Sequence, residues 1–146
     1  MRFILEFITY YACALFAGAA LYVSLVEHPA RMQCDTRTAA TQWAPSYRRG
    51  TGMQAPLAFV ALVAGFLAWL FGAPFAWFVA GLLVGAAIPY TLVVILPTNH
   101  RLQEPGRDLD SAETRALLER WGELHSVRTV LSLAALILLT GILVAR

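Results

Sequence analysis

The sequence predicts an all-α protein: a four-transmembrane-helix, up-down-up-down bundle with a short amphipathic helix in its first long connection. Three observations carry this. Of 146 residues, 59% are hydrophobic and only 14% charged, whereas soluble domains carry roughly a quarter charged. Four apolar runs reach the length that crosses a bilayer. A three-residue turn, Gly72-Ala73-Pro74, separates the middle two runs and makes them antiparallel neighbours. The length suits one domain, residues 1–146.

The spans are predicted over residues 3–26, 55–71, 74–96 and 124–145. Residues 3–26 rise about 36 Å as a helix, enough for a hydrocarbon core. Arg2 and Ala17-Gly18-Ala19 resemble the flanks of a signal peptide. The apolar stretch runs past that point, so the segment reads as a retained span. The second span is at the short end of the range. Pro89 should kink the third, and Pro97 should stop it. Lipid leaves only helices or closed barrels able to satisfy the backbone, and these runs are too long for barrel strands.

In the first connection, Asp35 is a candidate N-cap for a short helix to about Trp43. Pro45 and Gly50-Thr51-Gly52 are expected to break it, with Trp43 and Tyr47 as interfacial anchors. In the second, Asp110 or Ser111 caps a helix that runs on into the fourth span. The basic residues are all arginine. Nine of them (31, 37, 48, 49, 101, 107, 115, 120 and 128) lie in or beside the two long connections, against Arg2 and Arg146 on the other side. This excess predicts cytoplasmic connections and outside termini, in a protein integral to a bacterial inner membrane. A net charge of +2 is too small to suggest nucleic acid, and the expected partner is the lipid bilayer. Cys13 and Cys34 stand about 30 Å apart along a helix and should not pair.

Helical periodicity then assigns faces. Leu118, Trp121, His125, Arg128, Ser132, Ala135 and Leu139 step by threes and fours, the seam of a left-handed bundle. Glu6, Tyr10, Cys13, Ala17, Ala20, Ser24 and Glu27 form a matching stripe on the first span. Gly81 and Gly85 mark close helix packing.

Three polar clusters fall where spans end: Glu27-His28-Pro29, Pro97-Thr98-Asn99, and Trp121 with His125, Arg128 and Thr129. The bundle brings all three to one face. An arginine on an inward stripe needs a carboxylate, carbonyls or an anionic ligand, and Glu27 is the candidate partner of Arg128. His28 and His125 with Glu27 are a possible metal set, or His28 and His125 a haem pair, but neither helix carries two ligands at metal-binding spacing. Nucleotide, nucleophile-elbow and paired-cysteine motifs are absent.

In order, Glu27-His28-Pro29-Ala30-Arg31, Tyr47, Gln54-Ala55-Pro56-Leu57, Pro97-Thr98-Asn99 and Trp121-x-x-Leu124-His125-x-x-Arg128-Thr129 resemble the anthrone oxygenase-like family of small four-helix membrane proteins. The resemblance covers nearly the whole chain. It implies, from the fungal members, oxidation of anthrones to anthraquinones by dioxygen without a cofactor. On that reading the ligand is small and lipophilic. Glu27 or His28 is the base that removes an acidic benzylic proton. Arg128, His125 and Asn99 donate to the resulting anionic oxygen. Trp121 and Tyr47 form an aromatic wall. No cofactor is favoured; haem or a transition metal on His28 and His125 is the alternative, in an electron-transfer or ligand-binding bundle. A plain assembly subunit, and a homo-oligomer, remain further expectations.

Overall fold

A computed structural model describes residues 1–145, so Arg146 of the charge count lies outside the described residues. Every regular element among them is helical. The first crossing is α1 (Arg2–Tyr22), a π-helical turn (Val23–Glu27) and α2 (His28–Met32). The second is a single helix, α3 (Thr36–Leu70). The third is α4 (Ala76–Gly85), α5 (Ala87–Tyr90), a second π-helical turn (Thr91–Ile95) and α6 (Leu96–Leu102). The fourth is α7 (Ala112–Val144). All four crossings are long and apolar enough to span a membrane, and they fit an integral membrane protein. Large apolar side chains cover the outside; Phe3, Phe7, Val93 and Ile137 are each more than half exposed, as a lipid-facing surface requires.

The four crossings close into a ring: α1 lies against α3 and α7, and α4 against α3 and α7. Small residues set the closest approach. A Cβ on Gly81 would lie 2.5 Å from the Ala61 carbonyl oxygen, and one on Gly65 2.7 Å from that of Trp77. The turn between α3 and α4 uses Gly72 at φ +89°. There the Ala73 amide bonds the Ala68 carbonyl at 2.9 Å and the Gly72 amide that of Trp69 at 3.0 Å, a Schellman closure that only glycine enters without strain.

Two expectations are corrected. The segment from Pro45 to Gly52 does not break: α3 runs through both Pro45 and Pro56. Ala40, Trp43, Tyr47, Gly50, Gln54, Ala58, Ala61, Gly65 and Ala68 step by threes and fours along it. None of these positions is exposed, while both prolines are. One packed face outweighs local propensity. Nor does Pro97 stop the third crossing; it opens α6 at the first turn, where its missing N–H costs nothing. Asp35 and Ser111 cap α3 and α7, each accepting from the amide three residues on.

The core has two parts. Phe16, Ala20, Ala58, Trp77, Val84 and Leu139 belong to an apolar layer toward the chain ends. Trp43, Ile95, Leu118, Trp121 and Leu124 form a second layer beneath the long connections. Arg115 joins the connection side together by donating to the carbonyls of Met32 and, at 3.0 Å, Cys34. Both cysteines are free.

Candidate functional site

The site begins at the first π-helical turn. Helical geometry continues through Pro29, so Glu27 and Arg31 fall on one face, four residues apart. Arg31 is only 5% exposed. Its Nη2 donates to Glu27 Oε1 at 2.5 Å and to Ser46 Oγ at 3.1 Å. Its Nε donates to Gln42 Oε1, and Ser46 in turn donates to Glu27. Its Nη1 lies 3.2 Å from His28 Nδ1. A guanidinium only donates, so Nδ1 of His28 is the acceptor. The expected Glu27–Arg128 pair is therefore replaced by a Glu27–Arg31 pair. The physical reason is local: one helical turn brings Arg31 to the carboxylate with no long-range geometry needed.

His28 and His125 both pack on the indole of Trp121, with ring centroids 5.2 and 5.1 Å away. Trp43 meets the same indole edge-on at 5.9 Å and stacks on Tyr47 at 5.1 Å. The aromatic wall is thus Tyr47, Trp43 and Trp121 in sequence. His28 butts against the backbone of α7: a Cβ on Gly122 would stand 2.5 Å from His28 Cδ2 and Nε2. With Nδ1 turned to Arg31 and Nε2 against Gly122, His28 has no nitrogen open to a metal. Among the described residues no three His, Cys, Asp or Glu side chains gather as a metal set. The His28–His125 metal or haem reading does not fit this geometry.

His125 is 3% exposed. Ser24, carried by the π-helical turn, places Oγ 3.1 Å from His125 Nδ1 and 2.7 Å from Thr129 Oγ1. Thr129 donates to the Ala20 carbonyl at 3.1 Å. Nε2 of His125 has no protein hydrogen-bond partner among the described residues.

Arg128 lies one turn closer to the chain ends. Its Nη2 donates to Gln54 Oε1 at 2.6 Å, while its Nε is enclosed without a hydrogen-bond partner. Its guanidinium carbon stands 5.5 Å from the centre of the Phe16 ring. Among the described residues it forms no ion pair. These groups face a cavity of about 620 Å³ lined by Tyr22, Glu27, Tyr47, Gln54, Trp121, His125 and Arg128. A second cavity of about 130 Å³ shares Tyr47, Thr51, Gln54 and Arg128 and is otherwise mostly apolar.

Asn99 does not join them. It is fully buried, lines neither cavity, and neither of its amide atoms has a partner. It falls on one helical face with Ile95, the last residue of the second π-helical turn, and Leu102 of α6, so it belongs to the layer behind Trp43 and Trp121. His100 is exposed. The residues that sequence reasoning did not place in the site are Arg31, Gln42, Ser46 and Gln54. Only Arg31 had a spacing signal, four residues after Glu27; Ser46 and Gln54 required α3 to be helical through Pro45.

A cationic group without a carboxylate, an imidazole and a flat aromatic wall suit a planar lipophilic ligand that carries, or develops, negative charge on oxygen. The model of the anthrone oxygenase family matches residues 43–138. An anthrone oxygenase of Claviceps purpurea (strain 20.1) is 31% identical over 141 residues, covering 86% of this chain and 81% of the relative. No solved structure matches.

Proposed function

Because the chain belongs to the anthrone oxygenase family, we propose that it is a membrane-embedded oxygenase for an anthrone or a similar lipophilic, quinone-forming aromatic. His125 Nε2 takes the acidic benzylic proton. The charge that develops spreads onto the substrate oxygen, which faces the Arg128 Nη groups beside Gln54. Where the bound substrate excludes water from the cavity, that stabilisation is worth far more than in solvent. The electron-rich carbon then adds dioxygen; the peroxide loses its remaining C–H proton and water leaves as the ketone forms. One CH₂ and one O₂ give one C=O and one H₂O, so no external reductant is required.

The base is His125 rather than Glu27 or His28, since the Glu27 carboxylate and His28 Nδ1 are both engaged by Arg31. Tyr47 and Trp121 hold the rings of the substrate. The observation that carries the reading is Arg128, a cation in a cavity wall with an amide and no carboxylate as partner. The site lies toward the arginine-rich connections, which we assign to the cytoplasmic face of a bacterial inner membrane.

The test is oxygen uptake by the protein in lipid nanodiscs supplied with an anthrone, with anthraquinone measured in parallel. Equal consumption and formation are expected. Arg128→Gln should lower kcat/KM by about a hundredfold, in line with loss of a charge-stabilising donor; Arg128→Lys should retain part. Equal rates for wild type and Arg128→Gln would remove Arg128 from the reaction.

A further inference from the structure

We propose that Ser24 and Thr129 act as positioning residues that fix the tautomer of His125, with its proton on Nδ1 and the Nε2 lone pair free. The proposal deepens the reading of His125 as the base, and it rests on donor accounting along one chain of contacts. The Ala20 carbonyl can only accept, so the single Thr129 hydroxyl proton is committed to it at 3.1 Å. Thr129 Oγ1 is then the acceptor in its 2.7 Å contact with Ser24. That uses the only proton on Ser24. The 3.1 Å contact between Ser24 Oγ and His125 Nδ1 is therefore made by an Nδ1–H donor. In the neutral ring this leaves Nε2 bare.

The opposite direction makes fewer bonds. If Ser24 donated to Nδ1, Thr129 would either donate to Ser24 and abandon Ala20, or keep Ala20 and meet Ser24 oxygen to oxygen with no proton between them. Two hydrogen bonds would replace three, and one bond of this kind shifts an equilibrium by about fivefold. Free histidine in water prefers its proton on Nε2, so the relay works against the default. The fold supplies the relay through the π-helical turn: Val23 N–H lies between the Ala19 and Ala20 carbonyls, the wide turn begins there, and Ser24 faces α7. Thr129 is one helical turn from His125 on the same face. His28 has the reverse assignment, since its Nδ1 accepts from Arg31. The two imidazoles that flank Trp121 thus differ in which nitrogen is bare, and only His125 has a bare nitrogen without a protein partner.

Nitrogen-15 NMR of histidine-labelled protein in nanodiscs tests this, with His125 assigned by comparison with His125→Gln. The wild-type protein should show His125 protonated at Nδ1. Ser24→Ala and Thr129→Val should move the population toward Nε2–H, while Thr129→Ser, which keeps the hydroxyl, should hold the Nδ1–H form. With an anthrone as substrate, Thr129→Val should lower kcat by about tenfold at unchanged KM. A wild-type ring protonated at Nε2 overturns the proposal without recourse to any variant. A tautomer unmoved by Ser24→Ala and Thr129→Val also overturns it. If the ring is Nδ1–H but His125→Gln oxidises the anthrone at full rate, the relay stands and the base assignment falls.

Discussion

Gly122 shows how a single missing side chain shapes the site. Its Cα leaves room for the imidazole edge of His28, which closes the back of Trp121 and accepts from Arg31. Adding one methyl places a carbon 2.5 Å from two ring atoms. An aromatic ring wedged between α7 and Arg31 has little freedom to yield, so Gly122→Ala should destabilise by about 1–3 kcal/mol. It should also shift tryptophan emission, because Trp121 rests on the displaced ring; an unchanged emission maximum and melting temperature would count against this packing. At this scale the sequence was partly legible. His125 and Trp121 lie on an inward stripe and are buried as read. Glu27 did not pair with Arg128 because Arg31 is nearer in sequence and reaches it within one turn. Asn99, expected in the site, lines neither cavity, since helix continuation past Pro97 decides which face it takes.

Among the elements, α3 departs furthest from local signals. Two prolines and Gly50 and Gly52 argue for a break, yet a continuous face from Ala40 to Ala68 packs against its neighbours. Each proline removes one backbone donor, and both rings point outward where the freed carbonyls can find other partners. Pro45→Ala should accordingly leave the helix content unchanged by circular dichroism; a gain in helix would mean the segment is broken in the native protein. The contact between α3 and α4 is less forgiving. Gly81→Val should cost about 2–3 kcal/mol, because backbone rather than a flexible tip meets the new atoms, and thermal unfolding in detergent measures it. At the start of α3, the Asp35 carboxyl is held below its ordinary range by the Thr38 amide and hydroxyl. A depressed folded pKa means that this cap contributes above the ordinary carboxylate pKa and is lost as pH falls through the lowered one.

At the scale of the molecule, a lipid-facing surface surrounds a site that lies between an apolar layer and the long connections. On the proposed function, a lipophilic substrate and dioxygen would both concentrate in the membrane, and Tyr22 and Met53, which line the cavity, are about half exposed. Orientation is testable with the native cysteines. Cys34 is exposed on the connection side and Cys13 is buried. A membrane-impermeant maleimide should label Cys34 in inside-out vesicles and leave it unmodified in right-side-out ones. The reverse pattern would place the long connections outside.

The sequence by itself determined the number of crossings, their helical character and the inward stripes of the first and fourth, because hydropathy and period are properties of short stretches of chain. It also brought Glu27, His28, Trp121, His125 and Arg128 to one level, since crossing length and turn length set depth. Only the tertiary structure decided the long-range partners: Gln54 for Arg128, Ser24 for His125. Those choices turn on ångström distances between helices, and helix separation is set by glycine and alanine contacts far from the polar groups that depend on it.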